Sequence, residues 1–162
     1  MEKLKSKIVS DPELSRILQR ARFLGKKIVF TNGCFDIIHK GHVEYLLQAA
    51  NLGNILIVGI NTDSSVKKLK GPNRPVQDQD SRSRVLASMY FVTYVVLFNE
   101  ETPYNLIKLI QPDILVKGGD YTPDSVVGKD IVESSGGRVE LVEFVDGKST
   151  TGIIEKILKN YG

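Results

Sequence analysis

The run Ile-Leu-Ile-Val-Gly-Ile at positions 55–60 is apolar residue after residue, with no polar side to turn towards water. A strand of that kind belongs at the centre of a parallel sheet covered on both faces. Shorter strand-type runs recur at 27–31 (KIVFT), 94–98 (YVVLF), 113–117 (DILVK) and 138–142 (RVELV). Between them the apolar residues fall at helical spacing. Leu14, Ile17, Leu18, Ala21 and Leu24 form a stripe over 12–24, with Asp11 as cap, Pro12 in the first turn and Gly25 as terminator. Val43, Leu46, Leu47 and Ala50 mark one face of a helix that Gly53 ends. Further helices are expected over 80–90, from a Thr102 cap with Pro103 at the first position to about 110, and over 123–135. A last helix begins at Ser149 or Thr150, with Ile153, Ile154, Ile157 and Leu158 facing inward. Strands alternating with helices predict an α/β fold: a mainly parallel five-stranded sheet with helices on both faces.

The 162 residues are enough for one domain with a real core, burying about 68–70% of the unfolded surface. We expect a single domain over 1–162, with a helical extension at 1–25 and the core at 26–162. A formal charge of +3 is too small for a dedicated nucleic-acid binder. Lys67, Lys68, Lys70 and Arg74 fall in one short stretch with no aromatics interleaved. That stretch, KKLKGPNRPVQDQD at 67–80, is polar and broken by glycine and proline, and reads as a mobile loop. A single cysteine, Cys34, excludes an internal disulfide framework and suits a reducing compartment. No apolar run approaches the roughly 18 residues of a membrane span. The N-terminus lacks a signal-peptide apolar segment, so the expected location is cytoplasmic.

In open α/β sheets, ligands bind beyond the carboxyl ends of the strands, where strand order reverses. The unusual residues sit at those ends. Asn32, Gly33 and Asp36 follow the first strand, Asn61 and Asp63 the second, and Lys117, Gly118, Gly119 and Asp120 the fourth. The turn TNGCFD leads into a helix whose free N–H groups form an anion site, and Gly33 permits close backbone approach. His39 and His42, three apart, can share one side of that helix entry, with Gly41 leaving room for a ligand. Cys34, His39 and His42 do not make a zinc site, because no fourth ligand has suitable spacing. HKGH is not the HExxH of a zinc hydrolase, and neither a P-loop nor a GxGxxG fingerprint is present.

Four stretches carry a resemblance: FTNGCFDIIHKGHVEYL (30–46), GINTDSSVKKLKGPNRPV (59–76), PDILVKGGDY (112–121) and DGKSTTGII (146–154). On these the chain resembles the HxGH nucleotidyltransferase superfamily, in particular its cytidylyltransferase-like group. Within that group it is most similar to the adenylyltransferases that form ADP-heptose, over about Gly25 to Ile157. The resemblance implies a Rossmann-like nucleotidyltransferase fold. It implies transfer of AMP from ATP to D-glycero-β-D-manno-heptose 1-phosphate, with release of pyrophosphate, for lipopolysaccharide core synthesis. The implied co-substrate is ATP with Mg2+, the metal being held largely by phosphates and water with no protein ligand assigned. A separate heptose kinase in the pathway and a possible homodimer are also implied.

By resemblance, His39 and His42 contact the nucleotide phosphates, and Lys117 joins them as a catalytic cation. The nucleotide site would comprise Thr31, Asn32, Gly33, Cys34, Phe35, Gly41, Gly118, Gly119 and Asp120, with the Ser149, Thr150 and Thr151 hydroxyls near the distal phosphates. The acceptor would meet Asp36, Asn61, Asp63, Lys70, Arg74 and Arg82. Cys34 reads as a packing residue without catalytic work, and Lys40 as solvated. Relatives carry a basic residue just after the Ser-Thr-Thr motif, whereas Ile153 and Ile154 stand here. Lys148, Arg82 or the lysines at 67, 68 and 70 would have to compensate. Two other readings are a cytidylyltransferase acting on glycerol 3-phosphate or a related phosphoalcohol, and a nucleotide-binding regulator without catalysis. A regulator should have lost a motif histidine or the Ser-Thr-Thr segment, and neither is missing.

Overall fold

The computed structural model describes residues 2–119, 122, 125–142 and 149–162, without the side chains of Glu2 and Lys3. In chain order its strands are β1 (Ile8–Val9), β2 (Ile28–Gly33), β3 (Ile55–Asn61), β4 (Tyr94–Phe98), β5 (Ile114–Gly118) and β6 (Arg138–Val142). They form one parallel sheet in the order β1-β4-β3-β2-β5-β6. The helices are α1 (Glu2–Lys5), α2 (Asp11–Phe23), α3 (Lys40–Ala50), α4 (Asp63–Lys70), α5 (Gln79–Ser88), α6 (Tyr104–Ile110), α7 (Lys129–Ser134) and α8 (Thr150–Tyr161).

Alternate residues of each strand face opposite sides of a sheet, and here both sides are apolar. Phe30, Ile57, Val96 and Leu115 pack against Leu14, Leu18 and Ala21 of α2, Ile107 and Ile110 of α6 and Val132 of α7. Val29, Leu56, Val58, Ile60 and Val116 pack against Tyr45, Leu46 and Ala49 of α3 and Leu86 and Ala87 of α5. This double cover explains the unbroken apolar run in β3. Strand order reverses at β2, whose successors β3 and β4 lie on one side and β5 and β6 on the other. Among the described residues, no helix is long and apolar enough to cross a membrane.

Several local expectations need correction. The sheet has a sixth strand, β1, paired with β4 at Ile8↔Val95 and Val9↔Val96, so the first 25 residues supply a strand as well as helices. The cap of α2 is Ser10 rather than Asp11, and its N–H and Oγ both donate to the Glu13 carboxylate at 2.8 and 2.6 Å. Both ends of the expected 67–80 loop, 67–70 and 79–80, are helical. Thr62 caps α4 by accepting from the Ser65 N–H, and α4 runs to Lys70 before Gly71, at φ +95, turns the chain. The 102–110 helix starts one residue later than expected, after Pro103. Of the expected 123–135 helix, residues 123 and 124 lie outside the described residues, and among 125–135 only Lys129–Ser134 is α-helical. Ile157 and Leu158 of α8, expected inward, are 51% and 65% exposed.

Candidate active site

The ladder between β2 and β5 holds only Val29↔Ile114 and Phe30↔Leu115. Two residues further on, at the next positions facing the same side, stand Asn32 and Lys117. There the strands have parted, and the Lys117 ammonium donates to the Asn32 amide oxygen across the opening. Above them lies a cleft of about 490 Å³. It sits at the carboxyl ends of the strands where their order reverses, the usual ligand position in this architecture.

The turn after β2 forms one wall. A Cβ at Gly33 would lie 3.0 Å from the Phe35 ring, tighter than side chains normally pack. Phe35 takes φ +48, a left-handed conformation, and its ring edge meets His42 at a centroid distance of 5.2 Å. His39 occupies the N-cap of α3, so the three-residue spacing brings the two imidazoles together. Their rings stack with centroids 3.9 Å apart and planes inclined by 23°. Burial, followed by the neighbouring His39, pushes the His42 pKa from 6.5 down to about 4, with the Ile37 backbone acting the other way. His42 is therefore neutral at pH 7, and its Nδ1 is buried with no hydrogen-bond partner among the described residues. The Lys40 and Gly41 N–H groups begin α3 at the same end, while the His42 N–H donates to the His39 carbonyl at 2.9 Å.

A second wall comes from the start of α8. Ser149 Oγ caps the helix by accepting from the Gly152 N–H at 3.0 Å. Thr150 and Thr151 line the cleft, and Thr150 Oγ1 donates to the Ile37 carbonyl at 3.4 Å. The third wall is basic, with Lys70 from the end of α4 and Arg74 from the loop that follows.

That loop is held by Asp36. Its buried carboxylate accepts from Arg74 Nε at 2.6 Å, from the Val76 N–H at 2.8 Å and from the Gln77 N–H at 2.9 Å. Burial pushes this carboxyl upward, but the Gln77 and Val76 amides and the Arg74 guanidinium outweigh it and hold the pKa below the usual 3.8. Arg82 joins the same framework from α5, its side chain fully buried. It donates to the carbonyls of Cys34 (2.6 Å), Asn61 (2.8 Å) and Gln77 (3.1 Å), and to the Asp63 carboxylate (2.8 Å). One guanidinium thus ties the ends of β2 and β3 to α4 and the loop.

Of the residues expected at the site, Asn32, Gly33, Cys34, Phe35, Asp36, His42, Asn61, Lys70, Arg74, Lys117, Thr150 and Thr151 line the cleft. Thr31 does not: its hydroxyl is buried against Tyr45 Oη at 2.6 Å. His39, Gly41, Asp63, Arg82, Gly118, Gly119 and Ser149 stand behind or beside the lining. Asp120 and Lys148 lie outside the described residues. Lys40 pairs with Glu44 on the exposed face of α3 at 3.2 Å. Burial raises the Cys34 thiol pKa, with Lys70 the first of the cations opposing it, so the thiol stays protonated at neutral pH. Sequence reasoning missed Leu69, Glu101, Thr102, Pro103 and Val127, which also line the cleft. The strand-end rule could have found Glu101 and Thr102, because they follow β4. Among the described residues no cluster of three or more His, Cys, Asp or Glu could hold a metal ion.

Comparison with known proteins agrees with this geometry. A profile described as cytidylyltransferase-like matches residues 30–156. The chain is 58% identical over 156 residues to the "Bifunctional protein HldE" of Trichlorobacter lovleyi, covering 96% of this chain and 32% of the relative. It is 55% identical over 157 residues to the protein of the same name from Geobacter metallireducens, covering 97% and 32%. The chain therefore spans about a third of the length of these relatives. Among solved structures it is similar to the lipopolysaccharide core biosynthesis protein of Thermoplasma volcanium, with a TM-score of 0.62 and 27% identity over 76% of this chain and 100% of that one. A pantoate-β-alanine ligase from Francisella tularensis shares the fold at a TM-score of 0.58 and 13% identity, covering 94% of this chain and 79% of that one.

Proposed function

This chain belongs to the cytidylyltransferase-like family of nucleotidyltransferases, and from that premise we propose that it moves AMP from ATP to D-glycero-β-D-manno-heptose 1-phosphate. The products are ADP-heptose and pyrophosphate, for lipopolysaccharide core synthesis. The observation that carries the reading is the switch-point cleft, in which His42, stacked on His39 behind it, meets the Asn32–Lys117 bridge and the Thr150–Thr151 hydroxyls. The similarity to proteins named HldE, and to one titled for lipopolysaccharide core biosynthesis, supports the choice of acceptor.

In the step itself, an oxygen of the sugar phosphate attacks the α-phosphorus and forms a new P–O bond. The bond from the α-phosphorus to the α,β-bridging oxygen breaks, and its electron pair leaves on pyrophosphate. The attacking oxygen is already anionic at neutral pH, so no general base is needed. The protein's work is alignment and neutralisation of charge. His39 and His42 donate N–H groups to the phosphates, with His42 entering the reaction neutral. Lys117 neutralises charge at the floor, held in aim by Asn32. Thr150 and Thr151 hydrogen-bond the distal phosphates. Lys70 and Arg74 meet the acceptor phosphate. Mg2+ arrives with ATP, held by phosphate oxygens and water.

The acceptor is a sugar phosphate, so a sugar kinase must act before this enzyme, in keeping with the word "bifunctional" in the relatives' name. Dependence on ATP and a sugar phosphate fits a cytoplasmic enzyme. Labelled ATP tests the bond that breaks. With ³²P at the α position the sugar nucleotide should carry the label, and with ³²P at the γ position the pyrophosphate should. Label from the γ position on the sugar would mean phosphoryl transfer and would end this reading.

A further inference from the structure

We propose that Glu101 and Thr102 form a subsite for the hydroxyl groups of the acceptor, selecting a polyhydroxylated sugar phosphate over a short phosphoalcohol. The inference rests on the transfer reading above and extends it to residues outside the phosphate machinery.

The segment after β4 is fixed at its backbone. Asn61 Nδ2 and Ser65 Oγ both donate to the Glu100 carbonyl, at 3.5 and 2.9 Å. Thr62 and Ser64 donate to Asn99 Oδ1, each at 2.6 Å. The Glu100 carboxylate is itself occupied by the Asn99 N–H and by Asn105 Nδ2. Glu101 and Thr102 follow on this anchored segment, line the cleft and are exposed to solvent. Among the described residues, neither side chain makes a hydrogen bond or ion pair.

The other charged groups of the cleft wall are the cations Lys70, Arg74 and Lys117 and the Asp36 carboxylate, which Arg74 and two backbone N–H groups already satisfy. A carboxylate in a cleft that receives two phosphate-bearing ligands repels them unless it faces a part of a ligand that donates hydrogen bonds. Ionised carboxylates accept only, with room for several donors, so neighbouring hydroxyls of one sugar suit Glu101 well. The Thr102 hydroxyl can donate or accept beside it.

Topology says which ligand. The nucleotide phosphates fall to groups at β2 and β5 and at the entries of α3 and α8, and the acceptor phosphate to Lys70 and Arg74 after α4. β4 lies two strands from β2 on the other side, which is roughly 10 Å at ordinary strand spacing. A sugar phosphate offers several neighbouring hydroxyls to that side, and a three-carbon alcohol phosphate offers two. The nucleotide, drawn towards Lys117, Thr150 and Thr151, leaves the β4 side to the acceptor.

Steady-state kinetics of the wild type, Glu101→Gln and Thr102→Val test this. D-glycero-β-D-manno-heptose 1-phosphate and glycerol 3-phosphate serve as acceptors, and ATP is varied separately. Loss of a hydrogen bond to a charged group should raise the KM of Glu101→Gln for the heptose phosphate roughly tenfold or more. Its KM for ATP should stay unchanged, and Thr102→Val should shift the acceptor KM in the same direction by less. An unchanged acceptor KM in Glu101→Gln, or a rise in the KM for ATP instead, overturns the subsite and leaves the transfer reading standing. A wild type that prefers glycerol 3-phosphate, or uses neither acceptor, overturns both.

Discussion

Lys117 on β5 and Asn32 on β2 sit two residues beyond the last positions at which these two strands pair with each other, and their side chains close the gap between them. The bridge turns a parting of two strands into the floor of a site, with an ammonium group held where an anion can reach it. Replacing Lys117 by methionine keeps the length and removes the charge. Removal of one preorganised donor to a developing charge typically lowers kcat about 10²–10³-fold. Because the lysine is largely buried and donates to Asn32, its loss leaves that acceptor unpaired and should also cost about 1–3 kcal/mol of stability. Turnover close to wild type in Lys117→Met would remove this residue from the mechanism.

Asp36 acts at one remove. Its carboxylate satisfies two backbone N–H groups and one guanidinium, so Asp36→Ala should destabilise the protein by about 3 kcal/mol. It should also weaken acceptor binding by freeing Arg74. The folded-state pKa of Asp36 is depressed. Its stabilising contribution is therefore fully present above the unfolded value of about 3.9 and disappears as pH falls through the lower folded value. Urea denaturation from pH 7 down to pH 2 should show a steeper acid loss in the wild type than in Asp36→Ala.

Arg82 makes a contrasting prediction. Its guanidinium is enclosed by three carbonyls and one carboxylate rather than facing the cleft. Arg82→Met leaves those acceptors buried and should cost about 3 kcal/mol or more in stability. At a temperature where the variant is still folded, kcat/KM should fall for ATP and acceptor together, since both walls of the site shift. An acceptor-only effect with unchanged melting temperature would return Arg82 to direct substrate contact.

His42 offers a pH signature. With a pKa near 4 in the free protein and 6.5 as its ordinary value, the unfolded chain binds more protons between those limits. Stability attributable to this group therefore falls as pH drops from about 6.5 to 4, by at most about 3 kcal/mol. A triphosphate beside the ring favours the charged form, so ATP binding should raise the pKa and take up protons at pH 5.5. Proton NMR of the ring and calorimetry in two buffers of different ionisation enthalpy would measure both effects. Release of protons on binding would contradict the assignment.

Much of this was legible in the chain because the physics is local. Consecutive apolar residues at 55–60 mark a two-sided strand, and residues of unusual chemistry after each strand point to the cleft. β1 was not legible, since two residues carry no periodicity and their pairing with β4 is settled only by the fold. The end of α4 falls in the stretch expected as loop, because its exposed lysines and the glycine and prolines beyond them hide a helix that starts further back, at the Thr62 cap. Arg82 was expected at the substrate because an arginine near phosphates invites that role. Its burial depends on four acceptors brought together from distant stretches. Ile157 and Leu158 have helical spacing, but spacing alone does not say whether another surface is there to meet them.

The measurement that goes straight to the central claim is pyrophosphate release with Mg2+, crossing ATP and CTP against D-glycero-β-D-manno-heptose 1-phosphate and glycerol 3-phosphate. The account predicts turnover with ATP and the heptose phosphate alone, abolished in His42→Ala. Turnover confined to CTP and glycerol 3-phosphate would contradict it.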